Sequence, residues 1–588
     1  MLYEKLIEYS SSGVYPMHMP GHKRAVDKTA ARLPYDIDIT EINGFDNLQS
    51  PSGLLLETAE LAASIYGSDK AFLLVGGSSV GILAAIGAHV PRGGKILISR
   101  NSHISVHNAI ALFGLHPVYI DPDVDEATGI PINIPPDSIR IAIAKEPDIK
   151  AVVITSPTYE GFISDIKTIA DIAHTNHIPL IVDSAHGAHL GFSPDFPPDA
   201  VSSGADVVVM SLHKTLPALT QCALLHIRGA QANTREITRL LSVFQTTSPS
   251  YVLMASIDRC LHLIASGKDT VFREYSNKLN CFSSAVSHLK HINVIGYSAD
   301  SLPPNTFSFD RSKLIITFNP AAKQISHSPQ QELQGISGAA LGDGATGCRE
   351  INSPAANTAA YQPKNTRAAQ QSFGDLNTKR LNPKQLSGIA LADILRNKYK
   401  IETEAAALGY VLAMTSICDS EYGLKLLADA LCEIDDIIST TQLLQAPPSS
   451  CAEQGETERQ ITDVNLPYAS LVTKSNTNSN LHPHIDGIRV SQHPHKVVSS
   501  VASSLAAPPM IALPGIALTV PGHEVTLESA LGLMSLEYVW AYPPGIPLIV
   551  PGEMITAELI SHLDSLHRYG VELKSTYNAL PLIMAAEN

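Results

Sequence analysis

The chain has 588 residues, 44% of them hydrophobic, and a formal net charge of −15 at pH 7. That length and apolar content allow large buried cores and more than one domain, while the acidic balance speaks against binding the phosphate backbone of a nucleic acid. Seven scattered cysteines without a C-x-x-C pair exclude a cysteine-based structural zinc site and point to a reducing compartment.

In chain order, residues 1–8 are acidic and amphipathic, without the basic start and apolar core of a secretory leader, and no apolar run reaches the roughly 18–20 residues a bilayer demands. The expectation is a cytoplasmic protein with residues 1–50 as an N-terminal arm. From 51 to 319, short β-branched runs alternate with amphipathic stretches, the pattern of α/β units on a mainly parallel sheet. Predicted strands are Ala71–Val75, Lys95–Ser99, Ala151–Thr155, Leu180–Asp183, Val207–Ser211 and Ala223–Ile227. Ligands of such sheets bind beyond the carboxyl ends of strands, so functional side chains are to be sought just after these runs. Residues 320–383 and 445–509 break the pattern with Gln, Asn, Ser, Thr, Ala and Pro, and read as inserted, poorly ordered loops. Residues 386–445 have helical periodicity and 512–580 return to compact character, so 384–588 is predicted to be a smaller α+β domain interrupted at 445–509.

The segment Val75-Gly76-Gly77-Ser78-Ser79-Val80-Gly81 joins a strand to a helix-like run. Its glycines let N–H groups turn toward an anion, the helix start adds a positive dipole end, and Ser78 and Ser79 add hydroxyls. Such turns are frequent, and this one matches neither the nucleotide P-loop nor the dinucleotide fingerprint. The next strand runs into Ser99-Arg100-Asn101-Ser102-His103, where His103 is either a loop histidine or a ring that stacks on an aromatic ligand. Asp183 closes the apolar strand in Leu180-Ile-Val-Asp183-Ser-Ala-His186-Gly-Ala-His189. It either caps a loop or reaches into the crevice, where a carboxylate on a pyridine nitrogen keeps the ring protonated as an electron sink. Thirty-one residues on, Lys214 follows another apolar strand in Val209-Met-Ser211-Leu-His213-Lys214. A lone lysine there is ordinarily solvated; desolvated, it is a nucleophile toward an aldehyde, with Ser211 and His213 beside it as phosphate donors. Asp183 and Lys214 together point to a pyridine-aldehyde cofactor.

Further strings accompany these in order: Met19-Pro-Gly-His22-Lys23-Arg24, Asp38-Ile-Thr-Glu41, Gly44-Phe-Asp46, Ser156-Pro-Thr-Tyr159-Glu160-Gly161, Gln245-Thr-Thr-Ser248-Pro-Ser250-Tyr251, Tyr542-Pro-Pro-Gly545-Ile-Pro547 and Pro551-Gly552-Glu553. With them the chain resembles the Orn/Lys/Arg decarboxylases of fold-type I, in the short form without a receiver-like N-terminal domain, over nearly its whole length outside the two inserts. The resemblance implies an aspartate aminotransferase-like large domain, a smaller α+β C-terminal domain, pyridoxal 5'-phosphate as cofactor, no metal, and a homodimer or larger homo-oligomer. By it, Lys214 is the Schiff-base lysine, Asp183 the partner of the ring nitrogen, His186 a neighbour of the 3-hydroxyl side and His103 the stacking residue. Ser78, Ser79, Ser211 and His213 hold the phosphate, and Ser248 touches it from the other subunit. The departures are Gly76 and Ser79 in a Gly-Gly-Ser-Ser turn where Asn-Gly-Ser-Thr is usual, Ile104 for a common lysine, and Ser184 for a common glutamate; they bear on substrate preference rather than cofactor.

The activity implied is decarboxylation of a basic amino acid, arginine to agmatine first and lysine to cadaverine second, with ornithine as the third candidate, in polyamine supply. The rival readings are another fold-type I reaction, transamination or a lyase step, and an inactive regulatory paralogue, against which the intact Asp183, His186 and Lys214 stand. For the substrate's distal cation Glu41, Asp46, Glu160 and Glu553 are candidate partners, and spacing does not choose among them.

Overall fold

The computed structural model describes residues 15–17, 46–297, 301–319, 387–445, 508–541, 546–568, 571, 573–577 and 580–586. The predicted inserts lie almost wholly outside the described residues, as do most of the N-terminal arm, Glu41 and residues 542–545.

Seven strands form the central sheet: β1 (Lys70–Leu74), β2 (Lys95–Ser99), β3 (His116–Ile120), β4 (Ile149–Thr155), β5 (Leu180–Asp183), β6 (Val207–Ser211) and β7 (Ala223–Ile227), in the order β1-β7-β6-β5-β4-β2-β3. All are parallel except β7, which runs antiparallel to β1 and β6 on either side of it. Alternate residues face two cores: Val152, Ile154, Val182 and Val208 one way, Ala151, Val153, Ile181 and Val207 the other. Strands apolar on both faces are those a sheet needs when helices cover it above and below. The six predicted strands are found within two residues of their expected bounds. Strand β3 escaped prediction because it is an edge strand, buried only at Ile120 and carrying Pro117.

Helix α1 (Leu54–Tyr66) leads into the amino end of β1, while α2 (Gly77–His89) and α3 (Ile104–Phe113) start beyond the carboxyl ends of β1 and β2. Helix α2 packs close to the sheet because Gly81 has no side chain; a Cβ there would stand 2.7 Å from Leu74 Cδ1 and 2.9 Å from Val209 Cγ1. Its first turn consequently lies beside the ends of β5 and β6.

A second, antiparallel sheet has the order β8 (Ile292–Ile295), β9 (Lys313–Phe318), β11 (Tyr410–Met414), β10 (Ala405–Ala406). It takes strands from both sides of residue 319. Helices Gly388–Tyr399 and Glu421–Gln445 accord with the helical periodicity of 386–445, but the stretch 401–414 between them holds three short strands, a correction to that reading. Tyr15–Met17 runs parallel to Ile401–Thr403. The described residues between 508 and 586 build a smaller core of their own around Leu527, Val539, Ile549, Leu559 and Ile583. Among the described residues no helix is long and apolar enough to cross a membrane.

Candidate active site

The strand register carries the site. Thr155 of β4 pairs with Asp183 of β5, and Asp183 with Val209 of β6, so the carboxyl ends of β4 and β5 stand level while β6 runs two residues further, to Ser211. Beyond them opens a cavity of about 270 Å³, lined among others by Ser78, Ser79, His103, Asp183, His186, Ser211, His213 and Lys214. Eight of the nine cofactor-site residues expected from sequence thus meet in one place. The ninth, Ser248, is exposed and is not among the lining residues of its own chain.

Asp183 is buried, accepting a hydrogen bond from the Ala185 N–H at 3.2 Å. Burial pushes its carboxyl above the usual range, against the pull of the Lys214 ammonium and that N–H. Lys214 sits in a single helical turn after β6, and its Nζ lies 2.9 Å from His186 Nε2. Desolvation of the ammonium lowers the Lys214 pKa to about 8, with Asp183 and Glu404 opposing the fall and Lys313 adding to it. Burial, then Lys214, holds His186 well below the ordinary imidazole value. His186 is therefore neutral and accepts at Nε2.

His103 caps α3: its Nδ1 accepts from the Ser105 N–H at 3.2 Å and lies 2.9 Å from Ser105 Oγ. Burial, and then Lys214, pushes its pKa down to about 4, so at neutral pH the ring is uncharged with its proton on Nε2. His213 Nδ1 donates to the Cys222 carbonyl at 3.0 Å, so its other nitrogen donates only in the imidazolium form. At the start of α2, Gly77 takes φ +78°, a left-handed conformation that glycine adopts without strain, and donates its N–H to the Gln221 carbonyl at 3.0 Å. Ser78 and Ser79 follow it into the helix.

The remaining wall was less legible. Tyr159 presents its ring edge to His186, centroids 5.0 Å apart, and its hydroxyl donates to Glu404 Oε1 at 2.5 Å. Tyr410 Oη donates to Glu160 Oε1 at 2.8 Å, and burial pushes the Glu160 carboxyl up. Below this wall His189 Nε2 lies 3.0 Å from Asp310 Oδ1 and Lys313 Nζ 3.6 Å from Asp310 Oδ2, all three buried. Against burial, His189 and Lys313 hold Asp310 well below the carboxylate range. Sequence reasoning missed Glu404, Tyr410, Lys313, Asp310, Thr220 and Gln221; none follows an apolar strand in a way that marks it.

Two of the distal-cation candidates are used elsewhere. Asp46 accepts from the N–H groups of Ser52, Gly53 and Leu55, anchoring the start of α1, and those bonds bring its pKa down to about 2 in spite of burial. Glu553 is fully buried on Arg100, whose Nη2 approaches its two carboxylate oxygens at 3.1 and 3.2 Å. Only Glu160 of the three described candidates lines the cavity.

The residues present fit pyridoxal phosphate. A desolvated lysine and a buried carboxylate face one cavity, and the hydroxyls of Ser211 and Thr155 and the Nδ1 of His186 are buried without hydrogen-bond partners among the described residues. Buried polar groups of that kind call for a polar ligand. No group of three or more His, Cys, Asp or Glu among the described residues is placed to hold a metal ion.

A parallel sheet with one antiparallel strand, a lysine after one strand and an aspartate after its neighbour define a class of α/β protein that holds its ligand at the carboxyl edge. The chain belongs to the Orn/Lys/Arg decarboxylase family: the family's major domain matches residues 1–302, just over half the chain, and its C-terminal domain matches residues 522–573. An uncharacterized protein of Bacillus subtilis, YaaO, is 42% identical over 263 residues, which is 44% of this chain and 55% of that protein. An arginine decarboxylase of Bacillus cereus is 31% identical over 322 residues, 54% of this chain and 70% of the relative. The lysine decarboxylase LdcA of Pseudomonas aeruginosa is 25% identical over 294 residues, covering 44% of this chain and 38% of the relative. Among solved structures, the constitutive lysine decarboxylase of Escherichia coli superposes with a TM-score of 0.64 at 18% identity, over 100% of this chain and 81% of that one. That likeness concerns the fold.

Proposed function

We propose that this chain is a pyridoxal-phosphate-dependent decarboxylase of a basic amino acid, with arginine preferred and lysine second, acting as a cytoplasmic homodimer or larger homo-oligomer in polyamine supply. The observation that carries the reading is the meeting of Asp183 and Lys214 in one cavity, at neighbouring strand ends, beside buried hydroxyls without hydrogen-bond partners among the described residues. Relatives named arginine decarboxylase, at 31% and 32% identity in two Bacillus species, support the substrate class and its order.

In this reading Ser78, Ser79, Ser211 and His213 hold the phosphate at the start of α2. Asp183 faces the ring nitrogen, His186 the 3-hydroxyl side, and His103 stacks on the ring; Ser248 serves the neighbouring subunit. Bound there, the cofactor supplies the electron sink for the carbanion left when carbon dioxide departs. Against the effect of burial, Asp183 is drawn toward its charged form by Lys214 and the Ala185 N–H, and it would face the ring nitrogen in a site where little solvent screens it. Lys214, with a pKa of about 8 rather than 10.5, offers a free amine near neutral pH, where a solvated lysine is almost wholly protonated. Neutral His103 gives a flat surface without a second positive charge next to that amine.

Carbon dioxide and amine product are to be measured from arginine, lysine and ornithine with the cofactor-loaded protein. Arginine is expected to give the highest kcat/KM. A preference of about tenfold for another of the three, 1.4 kcal/mol, reverses the order, and no carbon dioxide from any of them overturns the reading.

A further inference from the structure

Glu160 is 4% exposed, lines the cavity, and among the described residues forms no ion pair with a lysine, arginine or histidine. Its side-chain donors are neutral, Tyr410 Oη at 2.8 Å and the Thr158 hydroxyl. A carboxylate buried among neutral donors pays a desolvation cost that only a cation relieves in full. A second carboxylate, Glu404, stands behind Tyr159, whose hydroxyl it accepts at 2.5 Å, and its field reaches Lys214. The same cavity is lined by buried His186, whose Nδ1 has no hydrogen-bond partner among the described residues and whose ring meets the edge of Tyr159.

We propose that Glu160 receives the distal cation of the substrate, reinforced by Glu404 across Tyr159, so that this wall selects basic amino acids while the ends of β5 and β6 process the α-amino head. The inference rests on the decarboxylase reading and deepens it. A guanidinium or ammonium arriving at Glu160 supplies the charge that the protein withholds. An uncharged side chain of equal length strands the carboxylate, which is how a buried polar site rejects an analogue lacking the matching group. With Asp46 and Glu553 committed elsewhere, the described residues offer no other of the sequence candidates at the cavity.

The test compares the loaded wild-type enzyme with Glu160→Gln, Glu404→Gln and Tyr410→Phe, using arginine, lysine and norleucine, which is lysine with its distal amine removed. Binding of agmatine and cadaverine to each protein is followed in parallel by calorimetry. Glu160→Gln is expected to lower kcat/KM for arginine and lysine by about a hundredfold, within the range for stripping one partner from a buried charge pair, and to weaken both amines. Norleucine turnover is expected to stay within about threefold. Glu404→Gln is expected to do the same by about tenfold, mostly in KM. Tyr410→Phe, which keeps the carboxylate and removes its donor, covers the case in which Glu160→Gln does not fold, and is expected to raise KM for the charged substrates alone. An unchanged ratio of charged to uncharged turnover overturns the proposal, and so does an equal loss on all three substrates, which assigns Glu160 to proton transfer instead. A wild-type enzyme that releases carbon dioxide from no substrate overturns the parent reading and this one with it; a working wild type with unaltered variants overturns this one alone.

Discussion

The floor and the wall of one cavity are built on different terms. The floor takes Asp183, His186, Ser211 and Lys214 from 32 consecutive positions, at and just beyond the carboxyl ends of two hydrogen-bonded strands. The wall takes Tyr159 and Glu160 from the loop after β4 and fixes them with Glu404 and Tyr410, 245 and 250 positions away. Chemistry common to a whole class of enzymes sits on the rigid sheet. On the proposed reading, choice of substrate would sit where two distant stretches of chain meet, and could change there without disturbing the first.

That contrast can be broken at its strongest point. Lys214→Ala is expected to fold and to lose turnover on every substrate by about ten-thousandfold or more, as removal of a nucleophile does, together with the absorbance of a lysine-linked cofactor. Measurable activity near wild type contradicts the floor's assignment. Asp183→Asn keeps the shape and removes the charge; a loss of roughly a hundred- to a thousandfold is expected, the scale of one preorganised electrostatic group, again without regard to the side chain of the substrate. Stopped-flow turnover of arginine against norleucine checks that uniformity.

A third expectation concerns stability. Partly buried Arg100 and fully buried Glu553 pair across 453 positions, joining the loop after β2, which carries Asn101 and His103, to the C-terminal unit. Glu553→Gln is expected to destabilise the fold by about 3 kcal/mol, the lower end of the range for breaking a buried pair, because it strands a guanidinium that is largely shielded from solvent. Arg100→Met with Glu553→Leu is expected to recover most of that, as the two thermal melts report. The smallest effect expected is in pH. A free amine rather than an ammonium attacks an aldehyde, so the rate of cofactor loading onto the apoprotein rises as pH climbs through the Lys214 pKa. Its midpoint is expected near 8, not 10.5; trapping the adduct with borohydride across the pH range measures it.

The sheet was legible because its strands are apolar on both faces and short, a signature that survives without alignment. Strand direction was not: Ala223–Ile227 is buried at all five positions, and such a strand reads the same whether parallel or antiparallel. The helical periodicity of 386–445 rests on residues 389–395 and 424–434 and says nothing of 401–414 between them, whose strands form by pairing, Tyr410–Met414 with Lys313–Phe318 and Ala405–Ala406 with Tyr410–Met414. Asp183 and Lys214 were readable from their place after strands. Glu404 was not, since a glutamate between two short strands has no local mark, and its meaning arises only from the tyrosine it meets.

The pairing of Tyr15–Met17 with Ile401–Thr403 has a practical reach. Met17 is fully buried and stands opposite Thr403, the residue before Glu404. Trimming the chain past Met17 takes away the strand alongside the Glu404 segment while leaving the β5–β6 edge whole. A protein shortened in this way is expected to bind cofactor normally and discriminate poorly, so the amino end of the chain serves as a remote handle on substrate choice.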